Sequence, residues 1–493
     1  MSATRHPLSL ASRAVCLVAL LVGVALAACE RGGARAAPAR PNVLLITVDT
    51  LRADRVGAYG YRLPTTPTID ALAGRGVRFA DVTVPWPKTW PAMAAMVTGK
   101  EPRTNGIRFR PRRPLPEEHV TLAEALRAAG WATGAVVANV NLGKNFGFDQ
   151  GFDRFVESWA DEALRQTGSE VFRNRPGLVK RFTNATRVTD QGLAVLDELG
   201  GGRETPFFLW LHYIDPHGPY VPPPEYAKLF AGAHASQPVP VEALPRYQLQ
   251  IDPATGEVSN DLGFYKTQYD REVRYLDDQL GRLLAALKER GVLRDTLVIL
   301  TADHGESLDE NGYYLEHGNV PYQSNAAIPM IFVLDGRLEA GRVVEHPVGL
   351  LDLMPTVLAL TGVPVPEGVQ GTSLVPLLDG ARDGGPRYVF MESGKLTPSQ
   401  LSVRKGAWKL VHLRAAGDRA WLGRKELELY DLSRDPKEER DVRAEHPEIA
   451  AELETTLATW LRETPRYKGT GKTDLRQLDE RTQDMLRALG YIE

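Results

Sequence analysis

Three unbroken apolar runs mark the first two-thirds of the chain. Asn42–Val48 (NVLLITV) ends in Asp49, Phe207–Leu211 is followed by His212 and Asp215, and Thr296–Thr301 (TLVILT) is followed by Asp303 and His304. A strand with one wet face alternates apolar and polar residues, so short continuous runs read as strands buried on both faces of a parallel sheet. Helical spacing appears between them. Val273, Leu276, Leu280, Leu283, Leu284 and Leu287 form one apolar stripe with Arg and Asp opposite, and Gly291 follows as a stop signal. Strands alternating with helices predict one large doubly wound α/β domain over residues 41–385. Beyond it, Tyr388–Met391, Leu401–Arg404, Trp408–Leu413 and Leu427–Leu432 read as short strands, and Pro447–Arg462 as an amphipathic helix. Residues 386–493 are therefore expected to form a small antiparallel sheet with a helix, and the polar stretch 463–481 a loop.

The N-terminus follows a different pattern. Arg5, His6 and Arg13 precede the apolar run Ala14–Ala28, which is shorter than the ~20 residues a spanning helix needs. A basic start, a short apolar stretch and small residues at its end describe a secretory signal. Its end, Leu26-Ala27-Ala28-Cys29, resembles the bacterial lipobox. That resemblance implies a signal over 1–28, lipidation at Cys29 and a flexible tether over 29–40. It implies a protein lipid-anchored to the bacterial cell envelope, facing the periplasm or the exterior. A plain secretory signal or an uncleaved anchor, with Cys29 incidental, is the other reading.

Composition narrows the class. The 493 residues are 43% hydrophobic and 25% charged, which excludes a multi-span membrane protein and a disordered chain. A formal net charge of −3 supplies no basic field for nucleic acid, so none is expected as a partner. Cys16 and Cys29 are the only cysteines, so no disulfide framework or cysteine-derived nucleophile exists beyond residue 29.

Ligands in open α/β sheets bind at the C-terminal ends of the strands. Asp49, Asp215, His217, Asp303, His304 and His317 gather there in the pattern of the chain, and carboxylate-plus-imidazole sets suit Zn²⁺ or Mn²⁺. Singly, each has a bland explanation: Asp303 as a helix cap, His212 as a satisfied core histidine. Adjacent Asp303 and His304 both reach one ion only if the backbone turns sharply, which Gly305 permits. Thr89 precedes Pro91 in a helix that Gly99 stops, so it reads as an N-cap. Its alternative role is that of a nucleophile at the positive end of the helix, made reactive by a metal.

Several of these segments resemble the sulfatases of the alkaline phosphatase superfamily. Arg40–Gly60 is similar to their opening, and Thr89–Gly99 to their Cys/Ser-x-Pro-Ser-Arg signature. The likeness continues through Gly147–Asp153, His212–Tyr220, Thr301–Ser307, Glu316–Asn319, Asp352–Thr356, Gly371–Leu374, Arg404–Leu410, Leu429–Leu432 and the terminal Leu489-Gly490-Tyr491. It implies an alkaline phosphatase-like fold, with a large doubly wound mixed sheet, helices on both faces and a small C-terminal antiparallel sheet and helix.

The departures carry the functional argument. Sulfatases make a formylglycine from Cys or Ser at the first signature position, where this chain has Thr89, and residues 85–99 contain neither. Ala92 and Met93 replace the family's Ser and Arg, and Ala138-Asn139-Val140-Asn141-Leu142 occupies the region of its Lys-x-His. Thr50 stands where a second Asp is frequent, His304 where many have Asn, and Asn311 where close relatives have His. The pattern resembles the threonine-nucleophile branches. By position, Asp49, Thr89, Asp303 and His304 would hold one metal. His317 would help hold a second, with Asp215 and His217 the remaining candidates at an altered spacing. Two divalent ions are implied, Zn²⁺ or Mn²⁺, with Ca²⁺ the alternative. The implied activity is metal-dependent hydrolysis of phosphate or sulfate esters through a covalent Thr89 ester, with phosphate mono- or diesters favoured. His212 would contact the ester or donate a proton. The substrate would be a small-molecule, glycan or lipid ester. Two other readings stay open: a true sulfate ester hydrolase without formylglycine, and a non-catalytic binding lipoprotein on the same fold.

Overall fold

The computed structural model describes residues 38–108, 113–159, 180, 183–202, 204–381, 387–394, 400–414, 423–469, 478 and 480–488. The expected signal, Cys29, the tether up to residue 37 and the terminal Leu489-Gly490-Tyr491 lie outside these residues.

The first apolar run becomes β1 (Asn42–Val48), buried along its whole length. It lies between β6 (Phe207–Tyr213) and β7 (Thr296–Ala302), parallel to both. Beyond β6 come β4 (Ala132–Val137) and β5 (Arg154–Glu157), also parallel. Beyond β7 come β8 (Met330–Val333), antiparallel to its neighbours, then β2 (Val77–Phe79) and β9 (Arg342–Val344). The eight-stranded mixed sheet has the order β5-β4-β6-β1-β7-β8-β2-β9. β3 (Val82–Thr83) and β10 (Val348–Gly349) form a separate pair.

Two helical layers explain why the central strands are apolar on both faces. Leu262–Glu289 packs against Ala185–Glu198 and Pro67–Arg75. Thr89–Thr98, Leu122–Ala128 and Leu353–Thr361 pack together as a second group. Leu262–Glu289 contains the predicted stripe, with Val273, Leu276, Leu280, Leu283 and Leu287 buried, and Asp261 caps it by accepting the Gly263 N–H at 2.9 Å.

The C-terminal sheet is an antiparallel meander of β11 (Tyr388–Ser393), β12 (Gln400–Lys405), β13 (Trp408–Leu413) and β14 (Leu427–Asp431). Helix Pro447–Glu463 covers one side through Leu453 and Leu457, packed with Leu401, Val403, Leu410 and Leu429. Val411, Leu413 and Tyr430 instead pack with Tyr313, Val320 and Tyr322. The small sheet therefore grips the segment that carries His317.

Two local expectations change. β6 runs on to Tyr213, because Thr47 and Val48 of β1 pair with His212 and Tyr213. His212 is thus a strand residue and not the first residue past the strand. Thr89 is the first helical residue and not the cap, since Lys88 before it is extended (φ −143°, ψ 139°). Gly99 does end that helix, in the left-handed conformation at φ 62°.

Candidate active site

The turn after β1 carries the first acid. Asp49 donates its N–H to the Tyr213 carbonyl at 2.9 Å, which ties the turn to the end of β6. Thr50 follows at φ 56°, a region a β-branched residue rarely adopts. It is held there on both sides: its N–H reaches Asp303 Oδ1 at 3.1 Å, and its carbonyl accepts the Tyr269 hydroxyl at 2.7 Å. Asp303 leaves the end of β7, and its Oδ1 also accepts the His304 N–H at 2.7 Å. Gly305 is needed next for close approach, because a Cβ there would lie 2.1 Å from the Ser324 carbonyl oxygen.

Asp49, His212 and Asp303 converge, each offering one ligand atom within 4.8 Å of the other two. All three are completely buried. Asp49 Oδ1, Asp303 Oδ2 and His212 Nε2 have no hydrogen-bond partner among the described residues. Burial raises Asp49 to about 7 and Asp303 well above its usual range, and the charge of Asp49 lifts Asp303 further. Buried like charges with open valences fit a cation, which would restore both carboxylates to their ionised form.

Thr89 enters from its helix. Its Oγ1 lies 3.3 Å from His304 Nε2 and 3.4 Å from Asn139 Nδ2. The Asn139 orientation is fixed chemically, because its Oδ1 accepts from the Asn141 backbone at 3.0 Å and side chain at 3.1 Å. Its amide hydrogens therefore face Thr89 and Asp49, whose Oδ2 lies 2.5 Å away. His304 Nε2 is also 3.4 Å from Asp303 Oδ2 and 3.8 Å from Asp49 Oδ1. Asp49, Thr89, Asp303 and His304 are thus brought to one place.

Three imidazoles gather beside them. His304 and His317 stack with ring centroids 4.4 Å apart, and His217 meets His317 edge-on at 5.1 Å. His304 Nδ1 faces the Gly305 carbonyl at 2.9 Å, and His217 Nδ1 the Gly218 carbonyl at 2.7 Å. Carbonyls only accept, so both Nδ1 atoms carry the proton and both Nε2 atoms keep a lone pair. His317 Nδ1 faces Glu306 Oε1 at 3.0 Å, and its Nε2 is buried with no hydrogen-bond partner among the described residues. Nδ1 bonded to a carbonyl or carboxylate is the usual outer support of a metal-bound histidine. Burial pushes His212 down to about 4 and His217 to about 3, and holds His304 and His317 well below the ordinary imidazole value. All four are neutral at pH 7, and a neutral ring is what ligation by His217, His304 or His317 requires.

Asp215 does not join them. Its Oδ2 accepts the Ala185 N–H at 2.7 Å, and its Oδ1 lies 3.3 Å from Lys180, which also pairs with Glu272. The residue is part of a buried ion cluster that ties the segment after β6 to two helices.

Three site residues were missed in the sequence. Lys88 is buried, its stem lies over Gly318, where a Cβ would meet Lys88 Cε at 2.1 Å, and its charge depresses His217, His304 and His317. Asn139 orients Thr89. Glu306 orients His317 while its other oxygen accepts the Tyr220 hydroxyl at 3.1 Å. Their only sequence signal is adjacency to motif residues. A cavity of about 460 Å³ adjoins the histidine segment, lined by Glu242, Tyr313, Tyr314, Glu316, Asn319 and Gln400.

The sulfatase family profile matches residues 41–363. The chain belongs to the sulfatase family. A second profile, the C-terminal region of N-sulphoglucosamine sulphohydrolase, matches residues 310–464. This sulfatase-family protein is 27% identical over 448 residues to human arylsulfatase A, covering 81% of the chain and 82% of that relative. It is 23% identical over 442 residues to an arylsulfatase of Clostridium perfringens, covering 81% and 89%. Among solved structures, the phosphonate monoester hydrolase of Silicibacter pomeroyi superposes with a TM-score of 0.68 at 24% identity, over 87% of the chain and 96% of its own. A protein bound to its substrate D-glucosamine-2-N,6-O-disulfate does so with 0.67 at 20%, over 87% and 100%. The last two show the shared fold. As a sulfatase-family member the protein is a hydrolase of ester bonds.

Proposed function

We propose that this hydrolase acts on phosphate mono- or diesters, with Thr89 as the nucleophile. The observation that carries the reading is the position of Thr89 Oγ1, buried beside His304, Asn139 and the Asp49–Asp303 pair. Asp49, Thr89, Asp303 and His304 would hold one divalent ion, and His217 and His317 supply nitrogen donors for a second. The nitrogen donors favour Zn²⁺ or Mn²⁺ over Ca²⁺. Such ions supply charge neutralisation and a lowered hydroxyl pKa.

The chain's own residues do the rest. Thr89 Oγ1 gives its proton to solvent and attacks phosphorus, the bond to the alcohol oxygen breaks, that oxygen takes up a proton from solvent and leaves as the alcohol, and a covalent Thr89 ester forms. Asn139 aims the Thr89 oxygen. Lys88 and the N–H groups at the start of helix Thr89–Thr98 hold negative charge on the transferring group. Water then attacks the Thr89 ester, which frees Thr89 and releases phosphate, or a phosphate monoester when the substrate is a diester. Phosphorus is favoured over sulfur because Thr89 is no precursor of formylglycine, while a phosphate dianion makes fuller use of the cationic surroundings. A second reading, sulfate ester hydrolysis by the same threonine, is favoured by the arylsulfatase names of the relatives.

The test uses metal-loaded protein with aryl phosphate, bis-aryl phosphate and aryl sulfate. The phosphorus esters should turn over fastest, and Thr89→Ala should lower those rates about a thousandfold even in protein saturated with metal. Undiminished turnover in Thr89→Ala ends this reading, and activity confined to the sulfate selects the second.

A further inference from the structure

We infer that Thr47 and Trp210 are positioning residues that place the His212 proton on Nε2, making His212 a hydrogen-bond donor to the bound ester and removing it from the metal ligands. The assignment of the ester as the acceptor rests on the function proposed above. The hydrogen-bond inventory stands apart from it.

Thr47 on β1 and His212 on β6 are register partners, and Trp210 precedes His212 by two residues on the same side of β6. All three are buried. An indole nitrogen only donates, so Trp210 Nε1 gives its hydrogen to Thr47 Oγ1 at 2.9 Å. The Thr47 hydroxyl must then dispose of its own proton. His212 Nδ1, at 2.9 Å, is its other partner among the described residues. If Nδ1 carried a hydrogen, two donors would face one hydroxyl and the hydroxyl proton would be stranded in a buried place. Nδ1 therefore accepts, and the neutral ring bears its hydrogen on Nε2.

That nitrogen is buried, has no hydrogen-bond partner among the described residues, and lies 3.6 Å from Asp49 Oδ2. The convergence of Asp49, His212 and Asp303 has the outline of a three-ligand site, yet its histidine offers N–H and not a lone pair. His217 and His304 are the reverse case, since carbonyl oxygens hold their Nδ1 protons. One cluster thus contains both kinds of imidazole, sorted by what sits behind each ring.

The test is ¹⁵N-histidine NMR of the metal-loaded protein, with the His212 signals assigned by their loss in His212→Gln. The wild type should show His212 as the Nε2–H tautomer. Thr47→Val should move it toward Nδ1–H and lower kcat about 10–100-fold with KM and metal content unchanged, and Thr47→Ser should restore both. Trp210→Phe, which frees the hydroxyl to rotate, should give a mixture of tautomers and covers the case in which Thr47→Val does not fold. A wild-type Nδ1–H tautomer, a Thr47→Val protein that keeps tautomer and kcat, or loss of metal in that variant overturns the inference. Undiminished turnover in Thr89→Ala with the tautomer intact would instead refute the proposed function alone.

Discussion

The C-terminal edge of the eight-stranded sheet and the small C-terminal sheet both bury charge, in opposite states. In the small sheet, Lys409 and Glu438 are each 1% exposed and pair at 2.7 Å. Glu428 accepts the Tyr322 hydroxyl at 2.9 Å, the Tyr430 hydroxyl at 2.7 Å and the Lys425 N–H at 3.1 Å. At the edge of the large sheet, Asp49 Oδ1, Asp303 Oδ2, His212 Nε2 and His317 Nε2 have no hydrogen-bond partner among the described residues. Burial costs the same in both places; the small-sheet charges named here are paired internally, whereas these four atoms at the large-sheet edge are not hydrogen-bonded. At the large sheet an ion and a substrate would supply that compensation. Satisfied buried charge therefore reads as scaffold here, and unsatisfied buried charge as function.

The largest expected effect breaks the functional side of this contrast. Asp303→Asn should lower turnover on the order of 10²–10³-fold or more and reduce bound metal. With metal stripped by chelator, the same variant should melt above the stripped wild type, because burial and then the charge of Asp49 penalise a carboxylate at this position and the amide carries no charge. A variant that keeps its metal and rate would refute the ligand assignment. Calorimetry and metal analysis read both outcomes.

Lys409→Met addresses the scaffold side. It leaves Glu438 buried without its cation, so denaturant titration should show a loss of about 3–5 kcal/mol. Turnover per folded molecule should stay within about twofold, since no site residue is touched. A large fall in kcat at full folding would show that the two regions are not separable in this way.

The smallest effect lies at their junction. Burial, then the charges of Glu392 and Asp352, raise Glu101 from 4.5 to about 8, and its carboxyl meets Trp460 of the C-terminal helix. The native state holds this proton more tightly than the unfolded chain does, so stability is lost as pH rises from about 4.5 to 8. Glu101→Gln should remove that part of the pH dependence, gaining about 1–2 kcal/mol at pH 8 and almost nothing at pH 4. Parallel pH–stability curves for variant and wild type would contradict the assignment.

Much of the fold was legible because burial on both faces leaves a plain record. β1 coincides with the NVLLITV run, and β13 with the predicted Trp408–Leu413. Asp49, Asp303, His304 and His317 were legible because they follow strands or sit in recognisable motifs. Lys88 and Glu306 were not, since a lysine before a helix and a glutamate in a loop are ordinary surface residues until the fold buries them. The reach of β6 through His212 was missed because only pairing with Thr47 and Val48 extends it. Asp215 carries a motif position, yet Lys180 and Ala185 engage it.

The sequence by itself determined the layered α/β architecture, the family and the absence of any cysteine or serine at residues 85–99, because each depends on residue type and local order. Tertiary structure alone decided what each polar group does. Thr47 and His212 are 165 residues apart, and Thr89 and His304 are 215 apart. A ring nitrogen's role as donor or ligand is set by the atom behind it, and that atom arrives only when distant strands pair.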